Sequence, residues 1–173
     1  MILFEKLLAN VAKKPKFVPF DDLETKRICL ENWDKNGDGK LSVEEAADVR
    51  SIGTVFNGNK KIVSLKALRY FKINTLNNDV FRYMSNLREV WIPSTVTHHA
   101  YRTFLDCPNI KKVVILSETP FTRRDFFNVN TYAHIPQDLK VYVPDTLLSI
   151  YKEAWKDFPY ISRLHPLSEY NDN

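Results

Sequence analysis

An internal repeat constrains this chain more than any other feature. Ile73 recurs as Val96, Phe81 as Phe104, Met84 as Cys107, Asn86 as Asn109, Leu87 as Ile110, Val90 as Val113 and Ile92 as Ile115, each 23 positions on and without a gap. A fixed period of this size marks a stack of like units, in which no unit buries its apolar face alone and each is buried by its neighbours. The unit can be read from its residues. Leu87-Arg88-Glu89-Val90-Trp91-Ile92-Pro93 and Ile110-Lys111-Lys112-Val113-Val114-Ile115 carry the L-x-x-V-x-I rhythm of a short strand with an apolar inner face. Phe81 with Met84, and Phe104 with Cys107, supply the bulk behind each strand. A third strand is expected at Leu139-Lys140-Val141-Tyr142-Val143-Pro144, after a longer turn over 119–137. Upstream, Ile62-Val63-Ser64-Leu65 reads as a first, imperfect strand after an Asn-Gly turn at Asn57-Gly58, with Leu65, Leu68 and Phe71 forming a helical turn behind it.

The same pattern predicts a surface. Side chains alternate along a strand, so Leu87, Val90 and Ile92 facing inward put Trp91 on the opposite face. Val114 and Tyr142 take the same place in the next two strands. The expectation is an exposed apolar stripe of Trp91, Val114 and Tyr142, flanked by Arg88, Lys111 and Lys112. Such a stripe suits a protein or glycan partner. The competing expectation is that an N-terminal arm or the C-terminal tail covers it.

Ahead of the repeats, Asp34-Lys35-Asn36-Gly37-Asp38-Gly39-Lys40-Leu41-Ser42-Val43-Glu44-Glu45 fits the D-x-[DN]-x-[DN]-G-x5-E calcium loop at every defined place. Calcium takes six to eight hard oxygens. Asp34, Asn36 and Asp38 would offer side-chain oxygens, Lys40 its carbonyl, Ser42 a direct or water-borne ligand, and Glu45 a bidentate carboxylate, while Gly39 permits the sharp turn. A helix is expected to enter from Leu23 to Trp33 and another to leave through Glu45, Ala46, Ala47 and Val49. No second loop of this form follows, since the Asn- and Asp-rich 74–81 stretch lacks the glycine and the closing Glu. The expected role for Ca2+ is therefore structural, with an affinity of roughly 10⁻⁵ to 10⁻³ M.

At the chain start, Leu3, Leu7, Leu8 and Val11 lie on one side of an expected amphipathic helix over residues 2–12, ended by Lys13-Lys14-Pro15-Lys16. It reads either as packing on the body of the protein or as a docking arm led by Leu3 and Leu7. Near the other end, Leu147, Leu148, Tyr151 and Trp155 recur at helical spacing, with Asp145 or Thr146 as the expected N-cap and Pro159 as the stop. Ile161, Leu164 and Leu167 are expected to pack back as a final cap.

Composition narrows the function. A net charge of +4, drawn from scattered pairs such as Lys13-Lys14 and Lys60-Lys61, describes a solvated surface and not a nucleic-acid groove. No segment is long and apolar enough for membrane insertion, and the first residues do not form a signal peptide, because Glu5 and Lys6 break the apolar run. His98, His99, His134 and His165 have no metal-ligand spacing with a carboxylate or Cys, and there is no glycine-rich phosphate loop, G-x-S-x-G or H-E-x-x-H. An enzyme is not expected. Cys29 and Cys107 sit in elements of different kind and are not expected to pair.

A Phe, then a Cys-x-Asn-Leu/Ile group, then a strand ending in Ile-Pro resembles the BspA-type leucine-rich repeats of bacterial surface and phage proteins. The resemblance is clear over 73–116 and looser over 56–72 and 117–144. It implies an α/β (α+β) chain: a short leucine-rich-repeat solenoid of about three repeats over 56–144. An EF-hand-like cap would occupy 17–55, a helical cap 145–173, and an N-terminal helix or arm 1–16. It also implies a non-enzymatic structural or interaction module. Together with the start at Met1 and the missing signal peptide, it favours a phage virion component that meets virion subunits. The alternative is a bacterial cell-surface adhesin that meets a host receptor or glycan.

Overall fold

A computed structural model describes residues 15–98, 102–121, 136–157 and 161–172. Its centre is a sheet of five parallel strands in chain order: β1 Ser64–Leu65, β2 Glu89–Ile92, β3 Lys112–Ile115, β4 Lys140–Val143 and β5 Leu164–Pro166. A sheet that grows one neighbour at a time in sequence order is what a stacked repeat produces, since each unit lays its strand beside the last. The register follows the 23-residue period at its heart, with Glu89 beside Lys112, Val90 beside Val113, Trp91 beside Val114 and Ile92 beside Ile115. The spacing to β4 is longer than the period, for Lys112 pairs with Lys140; most of the turn expected over 119–137 lies outside the described residues.

The inner faces bury a continuous core. Leu65, Val90, Val113 and Val141 are all within 1% of full burial, and Phe81 lies stacked on Phe104 with ring centroids 5.4 Å apart. The repeat extends to its polar groups. Asn86 Nδ2 donates to the Lys60 carbonyl at 2.6 Å, and Asn109 Nδ2 to that of Ser85 at 2.7 Å, so each asparagine holds the turn of the unit before it. The backbone repeats as well: Asp79 and Arg102 sit at φ 60° and 56°, and Tyr83 and Asp106 at φ 62° and 59°. Four non-glycine residues in the left-handed region cost roughly 1–2 kcal/mol each, and the stacked layers on both sides hold them there. Arg102 also donates to Asp79 Oδ2 at 2.9 Å, which ties equivalent turns of adjacent units.

Among the described residues two helices precede the sheet, α1 at Leu23–Trp33 and α2 at Val43–Asp48. α1 packs through Thr25, Ile28 and Cys29, and its last residue, Trp33, meets Phe71 edge-on at 5.2 Å and Phe56 at 6.1 Å. A further helix, α3 at Leu148–Ala154, follows β4. Tyr151 and Trp155 from this end bracket one residue: the Phe121 amide donates to the Tyr151 hydroxyl at 3.1 Å, and Trp155 Nε1 donates to the Phe121 carbonyl at 2.8 Å. Burial pushes the Tyr151 phenol up to about 12.

One expectation is corrected at this end, and one is extended. Neither Asp145 nor Thr146 caps α3: a short 3-10 turn at Asp145–Leu147 starts the segment with no side-chain cap, and Asp145 Oδ1 instead accepts from the Ser168 amide at 3.0 Å. Leu164 does more than pack back, for it pairs with Val141 as part of a fifth strand. The expected helix with Leu3 and Leu7 lies outside the described residues.

Candidate functional site

The loop between α1 and α2 is built from hydrogen bonds that its own sequence dictates. Asp34 receives the amides of Gly37 at 2.8 Å and Gly39 at 2.9 Å, one on each carboxylate oxygen. Asn36 Oδ1 receives the Asp38 amide, and Asp38 Oδ1 the Lys40 amide, both at 2.8 Å. These are Asx-type turns, which short polar side chains form by capturing the backbone two residues on. Gly37 and Gly39 stand at φ +69° and +76°, where a side chain would be strained.

Glu45 closes the loop. Its Oε1 accepts from the Lys35 and Asn36 amides at 3.0 and 3.3 Å, and its Oε2 from the amide and hydroxyl of Ser42 at 2.9 and 2.8 Å. The Ser42 amide and hydroxyl lead the forces that hold this carboxyl below the usual glutamate range. Ser42 and Glu45 also form a capping box at the start of α2, because Ser42 Oγ accepts the Glu45 amide in return. Sequence reasoning assigned these two residues to a metal alone and missed the cap, although Ser-x-x-Glu ahead of Ala46-Ala47 announces it. Behind the loop, Val18 donates to the Leu41 carbonyl at 2.8 Å and Val43 to that of Lys16 at 3.1 Å, so an edge of extended chain pins buried Leu41. Among the described residues no three His, Cys, Asp or Glu side chains are gathered as a metal cluster. Asp34, Asp38 and Glu45 are each engaged with loop amides.

The second region is the sheet face opposite the main core. The structure aligns Trp91, Val114 and Tyr142 in one row, as the alternation requires, and continues the row to His165. It does not leave the row open. Trp91 is 5% exposed, Val114 0% and Tyr142 3%, and with Leu116 and Leu167 they make a second apolar cluster apart from the main core. Of the two expectations for this row, exposure and cover, the structure has the cover, and it is supplied by the C-terminal segment after β5. A 3-10 turn at Leu167–Glu169 lowers Leu167 onto the face. Tyr170 then stands edge-on between Trp91 at 5.0 Å and Tyr142 at 5.3 Å.

Polar groups rim this layer. Glu89 Oε1 accepts from Trp91 Nε1 at 2.7 Å and from the Tyr170 hydroxyl at 2.6 Å. Lys66 Nζ lies 2.8 Å from Asp172 and 3.6 Å from Glu89, and Arg69 covers the Trp91 ring at 4.9 Å. Lys112 donates to the Asn171 carbonyl at 2.8 Å. Of the three flanking cations expected to meet a partner, Lys112 therefore meets the tail. Lys111 pairs with Asp138 at 3.2 Å, and Arg88 is exposed. Sequence reasoning did not find Lys66, Arg69, Glu89 or Tyr170, because their meeting depends on the chain turning back over the sheet after Pro166.

The ionisation of this rim sets a pH window. The Lys66 ammonium beside Asp172 holds the Asp172 carboxyl below the usual aspartate range. Burial lowers Lys66, but its hydrogen bond to Asp172 and the charges of Glu89, Asp172 and Asp21 outweigh that and leave it above an ordinary lysine. Burial, then the bonds to Glu89 and Asp172, holds Tyr170 well above an ordinary tyrosine. A lowered carboxyl contributes stability that is complete above about pH 4 and lost as pH falls through its folded value. Raised Lys66 and Tyr170 contribute below about pH 10 and lose that contribution as pH climbs through theirs. Hydrogen exchange of residues 167–172, corrected for intrinsic rates, is therefore expected to stay level from pH 5 to 9 and to rise a few-fold below about pH 4. Asp172→Asn should remove the acid step, and an acid step of equal size in that variant would assign the effect elsewhere.

Other reactive groups are withdrawn or paired. Cys29 and Cys107 are free and buried, and burial pushes both thiols up to about 12, so neither is a thiolate near neutrality. Cys107 Sγ donates to the Phe81 carbonyl at 2.8 Å. His165 Nδ1 lies 3.1 Å from Glu169, and His98 Nδ1 lies 2.8 Å from the Thr97 hydroxyl. His99 and His134 lie outside the described residues. No described helix is long and apolar enough to cross a membrane.

A parallel sheet that adds one strand per unit, with phenylalanines stacked behind it and asparagines tying each turn to the last, defines a leucine-rich-repeat type of interaction module. The family described as BspA type leucine rich repeat region (6 copies) matches residues 42–134, just over half of the chain, and the chain belongs to it. Repeats of this type typically serve non-enzymatic protein interaction. No curated protein and no solved structure matches the chain.

Proposed function

We propose that this protein is a non-enzymatic structural or interaction module whose repeats present a rigid surface to another protein, and that it works as a component of a phage virion. The observation that carries the interaction reading is the sheet: its strands stand in register and set side chains of successive units in fixed rows, and the outer row of Trp91, Val114 and Tyr142 already holds an extended segment, residues 167–172. The virion placement rests on the resemblance to repeat proteins of phages and bacterial surfaces. The same resemblance supplies the second reading, a cell-surface adhesin that meets a host protein or glycan. Peptide mass spectrometry on density-purified particles, beside membrane and medium fractions of the same host, tests the placement. A constant ratio of this chain to the particle supports the virion reading. Recovery from the envelope or medium alone overturns it in favour of the adhesin.

The loop after α1 is proposed to hold calcium as a structural ion. Each carboxylate oxygen has two lone pairs, so the single amide bonds on the oxygens of Asp34 and Asp38 leave capacity for a cation beside them. Glu45, whose oxygens each accept two bonds, would join the shell by exchanging some of its bonds to Lys35, Asn36 and Ser42 for the ion. Asn36, Ser42 and the Lys40 carbonyl would complete an all-oxygen shell of the kind calcium takes. With an affinity in the 10⁻⁵ to 10⁻³ M range, 1 mM calcium should stabilise the fold by about 0.4–2.7 kcal/mol. A chelator is therefore expected to lower Tm, and Asp34→Ala to abolish the difference between chelated and calcium-loaded samples. Equal melting of the wild-type chain in both conditions would leave the loop as a metal-free cap for α2.

A further inference from the structure

The segment after β5 is a ligand in all but covalent attachment. Ladder pairing with β4 ends at Pro166, opposite Val143, so residues 167–172 ride on the sheet face without joining the sheet. They are held by three kinds of contact. Leu167 and Tyr170 fill the apolar layer, with the Tyr170 ring wedged between Trp91 and Tyr142. The Tyr170 hydroxyl reaches Glu89, a bond made by a group that is itself 9% exposed. The Asp172 carboxylate lies on Lys66, and the Asn171 carbonyl takes a bond from Lys112. A tyrosine followed two residues later by a carboxylate is thus read by an aromatic cleft, one buried acceptor and two cations.

We propose that this face is a peptide-binding surface, and that its partner is an extended protein segment carrying a tyrosine followed two residues on by an aspartate, which displaces residues 167–172. The proposal rests on reading the chain as an interaction module and names the chemistry its partner must carry. Displacement needs no strand to separate, since the covering residues contribute no ladder bond. It re-creates each contact with an identical one. Charge complementarity favours such a partner: with Asp172 lifted away, Lys66 keeps Glu89 at 3.6 Å and Asp21 at 3.9 Å but loses its one contact at 2.8 Å. With Arg69 over the Trp91 ring and Lys112 parted from Asn171, the rim would attract a carboxylate to the place the tail has left. Anchoring by an aromatic ring in a desolvated cleft, rimmed by charge, is how protein interfaces concentrate their affinity.

The test uses the full chain, its variant Tyr170→Ala/Asp172→Ala, and a fluorescent peptide of the sequence Leu-Ser-Glu-Tyr-Asn-Asp. In fluorescence anisotropy the variant is expected to bind at least tenfold more tightly than the wild type, because its own tail competes less. A peptide with Ala for Tyr and Asn for the last Asp should lose at least tenfold on the variant. If the variant does not melt cooperatively, saturating peptide on the wild-type chain should speed hydrogen exchange of residues 167–172 at least threefold, with little change in β2 and β3. Absence of saturable binding to a folded variant, equal binding of the altered peptide, or exchange that the peptide leaves unchanged would each overturn the proposal. Dimerisation of the variant without peptide uptake, seen by light scattering, would also overturn it, by giving the face to a second copy. Cross-linking on particles or cells separates this failure from that of the broader reading. A protein neighbour linked away from Lys66 and Lys112 leaves the interaction module standing and sinks the peptide face, whereas no protein neighbour at all sinks both.

Discussion

Phe81→Ala is expected to lower the free energy of unfolding by about 3–5 kcal/mol, and so Tm by roughly 10 °C, at about 2–4 °C per kcal/mol for a chain of this size. Phe81 is fully buried, and its ring lies on Phe104 at 5.4 Å and 23° between planes. Its backbone takes part as well: the Phe81 amide donates to the Thr103 carbonyl at 3.1 Å, and its carbonyl accepts from Cys107 Sγ at 2.8 Å. In a stack each unit contacts only its neighbours, so a cavity in the middle weakens two interfaces at once. Collapse is poor there, because the turns on either side are fixed in the left-handed region at Asp79, Tyr83, Arg102 and Asp106. Urea titration of Phe81→Ala, Phe104→Ala and the double variant would show whether the stacking carries the effect. The two losses should fall short of additive by about 0.5–1.5 kcal/mol. A loss below about 1.5 kcal/mol for Phe81→Ala, or strict additivity, would place the stability of the stack elsewhere.

The repeat was legible because its cause is local. Alternation in Leu87-Arg88-Glu89-Val90-Trp91-Ile92 fixes which side chains face the core, and the spacing of Phe81 and Phe104 fixes which units stack. The positions of β2 to β4 and the row of Trp91, Val114 and Tyr142 follow from those two facts. The fate of that row does not. Whether Trp91 is exposed depends on where residues 167–172 go; Leu167 marks the segment as one that packs back, but Leu-Ser-Glu-Tyr-Asn-Asp has no local pattern that chooses this face over another. The decisive contacts, Tyr170 with Glu89 and Asp172 with Lys66, span 81 and 106 positions. Asp145 shows the same limit on a smaller scale. Its place before α3 suggests a cap by propensity, yet the Ser168 amide of the returning tail takes its carboxylate. The loop at Asp34 to Glu45 presents the opposite case. The hydrogen bonds of its Asp34, Asn36, Asp38, Ser42 and Glu45 side chains are all local and follow from residue type, and Ser42 and Glu45, which form the capping box, are also members of the proposed calcium shell.

Asp22→Ala should destabilise the chain by about 3 kcal/mol, more than an ordinary helix cap is worth. Asp22 is the N-cap of α1, where Oδ1 accepts the Thr25 amide at 2.8 Å. Its second oxygen reaches 41 residues on, to the Val63 amide at 2.7 Å, and to the Ser64 amide at 3.3 Å. β1 is the first strand of the sheet, and among the described residues no strand precedes it on this edge for Val63 and Ser64 to bond. The carboxylate stands in for that strand. Removing it takes away a cap worth about 1 kcal/mol and strands up to two amides that were bonded to a charged acceptor, a change that costs about 1.5–3 kcal/mol per bond where the site is dry and less where water enters. Nearby bonds share the duty: Thr25 Oγ1 donates to the Ser64 carbonyl at 2.8 Å, and Ser64 Oγ to Asp21 at 2.7 Å. Asp22→Asn separates the two roles, because its one remaining oxygen can keep the cap while an amide nitrogen faces the Val63 donor. Chemical denaturation should place Asp22→Asn between the wild type and Asp22→Ala, with hydrogen exchange at Val63 and Ser64 rising in both variants. If Asp22→Ala costs no more than about 1 kcal/mol and those two amides stay protected, Asp22 is only a helix cap, and α1 is joined to the repeats by the Thr25–Ser64 bond and the apolar packing of Ile28, Cys29 and Trp33.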